Sequence, residues 1–207
     1  RARLRAMADP RYSYLRALEY ELIAGLQLSG KVLDLGGGRR ADYNRLLHHD
    51  GPIDSINFDP RIEPTFLHDA NTPFPIADAA YDTVISFNTL EHVRRDEFAL
   101  GEVVRVLKPG GSLHIVVPFL YRVHASPSDY HRHTSFWWEA ALDSLGIPPD
   151  RSRIEPIMWG RLTSSFSFLE FSRLRMLRKL PLWADLAIEG LADHEYPLGY
   201  YVFGTKR

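Results

Sequence analysis

The chain has no cysteine, and that absence removes disulfides, thiolate metal sites and thiol nucleophiles at once. It fits a reducing cytoplasm, where disulfides are rare. No apolar run is long enough to span a bilayer and no signal-peptide pattern stands out, so a cytoplasmic location is expected. A dominant charge sign is lacking too: 25 Lys and Arg face 26 Asp and Glu, a formal net charge of −1. Nothing in that balance draws the chain toward nucleic acid or anionic lipid, and no nucleic-acid partner is expected. Repeats and low-complexity linkers are also missing. What is there, 207 residues with 45% hydrophobic and 25% charged, suits one domain over 1–207 with a sizeable core. The sequence opens at Arg1, and a longer natural N-terminus is expected.

Hydrophobic periodicity organises the rest. Leu15, Leu18 and Leu22 fall at helical spacing within Tyr12–Leu26, which predicts an amphipathic helix. Lys31–Leu35, Ser55–Phe58, Tyr81–Phe87 and Ser112–Val117 are short apolar runs, with a weaker one at Thr65–His68. Their continuous apolar character predicts parallel strands covered on both faces. Ala41–His49 and Asp96–Leu107 read as helices between them, the second stopped by "KPGG". Strand–helix alternation predicts a doubly wound α/β domain, whose ligands sit beyond the strand C-termini where strand order reverses.

The first strand runs into three glycines in "KVLDLGGGRRADY". Gly36, Gly38 and Ala41 satisfy G-x-G-x-x-G/A, which leaves a nicotinamide or flavin nucleotide open. Asp34 argues against it, because a carboxylate there repels phosphates and opposes the helix N-terminus that binds them. A ligand bearing an ammonium and a sulfonium is attracted instead, so D-x-G-x-G favours S-adenosylmethionine over NAD. Two further acids follow. Asp59 in "INFDP" ends the second strand and can accept two ribose hydroxyls, which either cofactor offers. Asp69 in "HDA" stands where it can accept from an adenine amino group. Three acids in order at strand ends around one glycine loop point to a single site.

Through "VLDLGGG", "INFDP", "HDANTPFPIADAAYDTVISFNTLEHV" and "VLKPGGSLHIVVP", roughly Val32 to Val117, the chain resembles the class I S-adenosylmethionine-dependent methyltransferases, specifically the type 11 methyltransferase-domain family. The resemblance implies a Rossmann-like, doubly wound, mostly parallel seven-stranded sheet with an antiparallel last strand, formed by "YPLGYYVFGTKR", and a small helical cap. It implies that Gly36, Gly37 and Gly38 pack against the methionine portion of the cofactor. Asp59, with Pro60 beside it, would hold the ribose, and Asp69 with Ala70 would meet the adenine. Phe87 and Asn88 would set backbone against the amino-acid end. Arg39 and Arg40 replace the small residues common at that point and are expected to face solvent.

A second block, "VPFLYRVHASPSDYHRHTS", resembles the segment after the fifth strand in a bacterial subgroup of that family, where the methyl acceptor lies. His124, His131 and His133 fall within it, but their spacing matches no standard zinc pattern, so no metal site is expected. Glu91 and His92 in "LEHV" match a pair that some quinone O-methyltransferases use for a divalent ion. Asn88 replaces the additional acid, and the pair is expected to support the cofactor. Methyl transfer to a hydroxyl needs a base, for which His124 is the first candidate and His131 the reserve; a carboxylate acceptor needs none. Asp129 and Arg132 are expected to pair and shape the loop.

The expected activity is S-adenosylmethionine-dependent methylation of a hydroxyl, carboxyl or amine on a small-molecule or glycan-type acceptor. The alternatives are an NAD(P)-dependent oxidoreductase and a non-catalytic partner subunit with a methyltransferase fold. A sixth strand is expected near Ile154–Met158, followed by a helical insertion or cap at 161–195. There Phe168, Phe171, Leu174, Leu177 and Leu180 alternate with basic residues. An amphipathic helix packed on the domain or on a second subunit is taken ahead of a substrate lid or a membrane contact. The acceptor and the oligomeric state are not legible.

Overall fold

The computed structural model describes residues 2–125, 127–169, 173–188 and 196–207. Seven strands form one sheet: β1 Val32–Leu35, β2 Ile53–Asn57, β3 Phe66–Leu67, β4 Tyr81–Phe87, β5 Leu107–Pro118, β6 Ser152–Ile157 and β7 Gly199–Thr205. Their order is β3-β2-β1-β4-β5-β7-β6. β1 pairs in parallel with both β2 and β4, and β4 in parallel with β5. β7 is antiparallel to both neighbours, β5 and β6. The sequence-predicted sheet, with its antiparallel last strand, is the one observed.

Period-2 alternation divides the core into two layers. Leu33, Leu35, Val84, Leu113 and Ile115 point to one face, under α3 (Asp96–Val106) and α4 (Ser135–Ser144). Val32, Ile85, Phe87 and Val116 point to the other, under α1 (Ala2–Met7) and α2 (Tyr14–Gly25). The run β1, "VLDL", is buried at all four positions, which is why it reads as continuous rather than alternating. α2 starts at an N-cap, Ser13, whose side chain accepts from Arg16 N at 3.1 Å. Tyr14, Leu15, Leu18 and Ile23 then bury one stripe against the sheet. Burying each such side chain contributes about 1.5–3 kcal/mol, far more than the cap.

The segment Ala41–His49 corrects the sequence reading. In place of a helix it holds a 3-10 turn at Asn44–Leu46, then His48–His49 paired in parallel with Gln27–Leu28. Tyr43 is buried and its hydroxyl reaches Asp34, and this tie, with extended backbone at Leu47, takes the place of further helical turns.

Between β6 and β7 the described chain is mostly helical: α5 Arg161–Phe166, 3-10 turns at Ser167–Leu169 and Arg173–Leu177, and α6 Lys179–Ala187. The predicted apolar stripe faces outward. Phe168, Leu174, Leu177 and Leu180 are exposed, while Phe171 lies outside the described residues. Buried in their stead are Leu182 and Arg178, whose guanidinium donates to Met7 O and Tyr12 O at 2.6 and 2.8 Å and ties this segment to the N-terminal helices. No helix among the described residues is long and apolar enough to cross a membrane.

Candidate active site

Strand order reverses between β1 and β4, since the chain runs from β1 outward to β2 and β3 and from β4 outward the other way. The connections leaving Leu35 and Phe87 therefore part, opening a crevice at the strand C-termini. A cavity of about 400 Å³ lies there, a size suited to a small ligand.

Of the three glycines, Gly36 lines it. Gly36 has φ +95°, and a Cβ there would lie 1.9 Å from Thr89 Oγ1, so both conformation and space require glycine. Gly37 and Gly38 do not line the cavity. A Cβ on Gly37 would collide with Asp34 Oδ2, and one on Gly38 with the Ile62 carbonyl. Asn57 locks the loop to the second strand, donating from Nδ2 to Gly36 O, while its Oδ1 accepts from Asp59 N at 2.9 Å. Asn57 lines the cavity as well, and its place two positions before Asp59 in "INFDP" is the sequence signal that points to it.

Asp34 lies on the sheet face opposite Leu33 and Leu35, buried beneath Tyr43 and outside the cavity lining. Burial pushes its carboxyl up to about 7, against the hydrogen bond from the Tyr43 hydroxyl. Asp59 lines the cavity. Its carboxylate accepts from Arg61 N, Nε and Nη2 at 2.7 to 3.1 Å, and these donors hold it below the usual range. Pro60 opens the following 3-10 turn and stays outside.

Asp69 and Ala70 also line the cavity. Asp69 Oδ1 accepts from Asn71 N and Nδ2, at 2.9 and 2.7 Å, and Oδ2 takes no donor among the described residues. Their loop is pinned from α3. Glu102 accepts from Phe74 N at 2.6 Å, and Arg105 donates to Ile76 O at 2.8 Å and Asp78 Oδ1 at 2.6 Å. Ile56, Phe58 and Ile62 supply apolar walls. Carboxylates for a diol and an exocyclic amine, apolar walls for a flat base and bared backbone at Gly36 suit S-adenosylmethionine.

On the β4 side Phe87 is buried in the core, whereas Asn88, at φ +51°, lines the cavity. Asn88 Nδ2 donates to Glu19 Oε2 at 3.0 Å, a buried carboxyl on α2. Glu91 is buried, neither of its oxygens has a hydrogen-bond partner among the described residues, and burial raises its carboxyl to about 8. His92, next to it, lines the cavity, and its Nδ1 lies 2.5 Å from Ser128 O.

The loop after β5 closes this side through Pro127, Ser128 and Tyr130. His124 lies behind the lining, its ring edge-on to His92 at 4.9 Å and to Tyr121 at 5.3 Å. Asp129 Oδ2 accepts from His124 N at 2.9 Å and stands 3.2 Å from His124 Nδ1. The same carboxylate takes two bonds from Arg132, at 2.5 and 2.7 Å; against the effect of burial, these donors hold it at about 2. The expected pair Asp129–Arg132 is thus present, with His124 attached to it. Burial and His92 lower the His124 pKa despite Asp129, leaving a neutral ring near pH 7. His131 does not line the cavity; its Nε2 lies 3.5 Å from Asp96 Oδ1.

Residues 32–115 match the family model described as a methyltransferase domain. The chain is 26% identical to the dimethylglycine N-methyltransferase of Parasynechococcus marenigrum (strain WH8102), over 90% of this chain and 74% of that protein. Among solved structures it matches a chain of a Haloferax volcanii complex containing the Trm112 methyltransferase activator, with TM-score 0.62, 18% identity and coverage of 100% and 94%. The [4+2]-cyclase SpnF follows with TM-score 0.58 at 16% identity, covering 96% and 84%. Haemonchus contortus phosphoethanolamine N-methyltransferase 2, in complex with S-adenosylhomocysteine, shares the fold with TM-score 0.53 and 14% identity, over 90% of this chain and 51% of that one. These structural likenesses concern the fold. The matched domain model and the methyltransferase relative support a class I S-adenosylmethionine-dependent methyltransferase.

Proposed function

We propose that the cavity holds S-adenosylmethionine and that the chain methylates an oxygen or nitrogen nucleophile of a small-molecule or glycan-type acceptor. The observation that carries this reading is the convergence of Gly36, Asp59 and Asp69 on one cavity at the strand-order reversal. Asp59 would accept the ribose hydroxyls beside Arg61, since a carboxylate oxygen has room for further donors. Asp69, with Ala70, would meet the adenine between the apolar walls. The buried Asp34 carboxyl would act through the low-dielectric interior, favouring a cationic ligand without touching it.

When bound, the cofactor supplies a methyl group activated on a sulfonium, so positioning and exclusion of water are the protein's main work. The loop after β5 performs the exclusion. His124 takes the proton of a hydroxyl or amine acceptor, with Asp129 at Nδ1 fixing the ring so that Nε2 accepts. The N-methyltransferase relative favours an amine among these acceptors. Turnover of amine, hydroxyl and carboxylate acceptor panels, read as S-adenosylhomocysteine release, tests this. Activity confined to carboxylates would remove the role given to His124.

A further inference from the structure

A second constellation lies outside the cavity, where the loop after β5 meets the start of α3. His131 and His133 are two residues apart, and their rings stack nearly parallel, with centroids 5.2 Å apart and 16° between planes. Both present Nε2 to one carboxylate. His133 Nε2 lies 2.5 Å from Asp96 Oδ2, and His131 Nε2 lies 3.5 Å from Asp96 Oδ1. One donor atom from each residue falls within 4.8 Å of the other two.

We propose that Asp96, His131 and His133 bind one divalent transition-metal ion that fastens the loop after β5 to α3. A carboxylate with two imidazoles is a donor set suited to zinc, cobalt or nickel. Bonds of about 2.0–2.2 Å in a tetrahedral shell set donors roughly 3.3–3.6 Å apart, inside the 4.8 Å within which these three donor atoms fall. A plain hydrogen-bonded pair accounts for His133 but not for His131. His131 Nε2 stands 3.5 Å from the second oxygen, beyond good hydrogen-bond range, and makes one long contact, 3.3 Å, to Arg94 O.

The surroundings suit a fixed ligand set. His133 is held by face-to-face stacking on Trp137 at 3.4 Å, and Asp96 by the Glu97 N–H at 2.9 Å on Oδ1. Asp96 is buried and the two histidines are about one quarter and one fifth exposed, which admits an ion and leaves positions for water. The neighbouring cation of Arg95 is drawn away, donating to Asn71 O and lying over Phe98. Because Pro127, Ser128 and Tyr130 on the same loop line the cavity, the ion would steady one of its walls.

The test is a titration of the untagged chain, stripped with chelator, using cobalt(II) followed by its visible d–d bands and zinc(II) in competition with a chromophoric chelator. One equivalent is expected to bind, and His131→Ala, which removes no core contact, is expected to weaken it by at least the ~10–100-fold that disturbing an outer-shell partner costs. His133→Ala should do the same, with circular dichroism confirming the fold of each variant. His124→Ala should retain the ion. A chain that binds no cobalt or zinc overturns the proposal. So does binding that survives both His131→Ala and His133→Ala but is lost in His124→Ala, since the ion would then sit at Glu91, His92 and His124. Neither readout depends on S-adenosylmethionine.

Discussion

The Tyr43 hydroxyl stands 3.0 and 2.8 Å from the two carboxylate oxygens of Asp34 and supplies their donor within the core. Burial lifts the Asp34 carboxyl from 3.8 to about 7 in the folded chain. Its contribution to stability is therefore fully present below pH 3.8 and is lost as pH rises through about 7. Tyr43→Phe removes a donor that favours the charged form. It should destabilise the chain by about 1–3 kcal/mol at pH 8, and by less at pH 5, where the carboxyl is protonated. Thermal unfolding of both chains at the two pH values checks this, and an equal penalty at both would contradict it.

Gly36 is required by two independent constraints, a φ of +95° and the nearness of Thr89 Oγ1. Gly36→Ala should cost at least about 1–3 kcal/mol in backbone strain alone. Adding Thr89→Gly, which takes away Oγ1, Cγ2 and the Cβ at 2.7 Å, should recover only the steric part. Denaturant midpoints of the single and double variants separate the two contributions, and full recovery in the double variant would show that backbone conformation is not a constraint.

Much of this was legible in the sequence because it is local. β4 begins and ends where its apolar run does, and Asp59 and Asp69 mark strand ends within short quoted motifs. The rest depends on contacts distant along the chain. Nothing near Asp34 shows that Tyr43 will bury against it, nothing in α2 shows that Glu19 will meet Asn88, 69 residues away, and nothing near Arg178 shows that its guanidinium will reach Met7. The apolar spacing of residues 41–49 permits a helix, while tertiary ties to Asp34 and to Gln27–Leu28 decide otherwise. The histidines after β5 were visible as a cluster. Only the fold divides them, His124 going to Asp129 and His131 with His133 to Asp96.

His124→Gln should lower kcat by about 10²–10⁴-fold on a hydroxyl or amine acceptor and leave cofactor affinity nearly unchanged. Because burial and His92 lower the His124 pKa, the acidic limb of the rate profile should lie below 6.5, with activity flat above it to neutral pH. Rates from pH 4.5 to 8 at saturating cofactor test this. A limb above 6.5, or an unchanged rate in the variant, assigns the base elsewhere.

The most direct measurement is calorimetric titration of the chain and of Asp59→Asn with S-adenosylmethionine, S-adenosylhomocysteine and NAD. One site should take up both sulfur nucleosides, and NAD should not bind. Asp59→Asn should weaken both by about tenfold to a hundredfold, the loss expected for hydrogen bonds to a charged group. NAD binding without either sulfur nucleoside, or affinities untouched by Asp59→Asn, would contradict the assignment of this cavity.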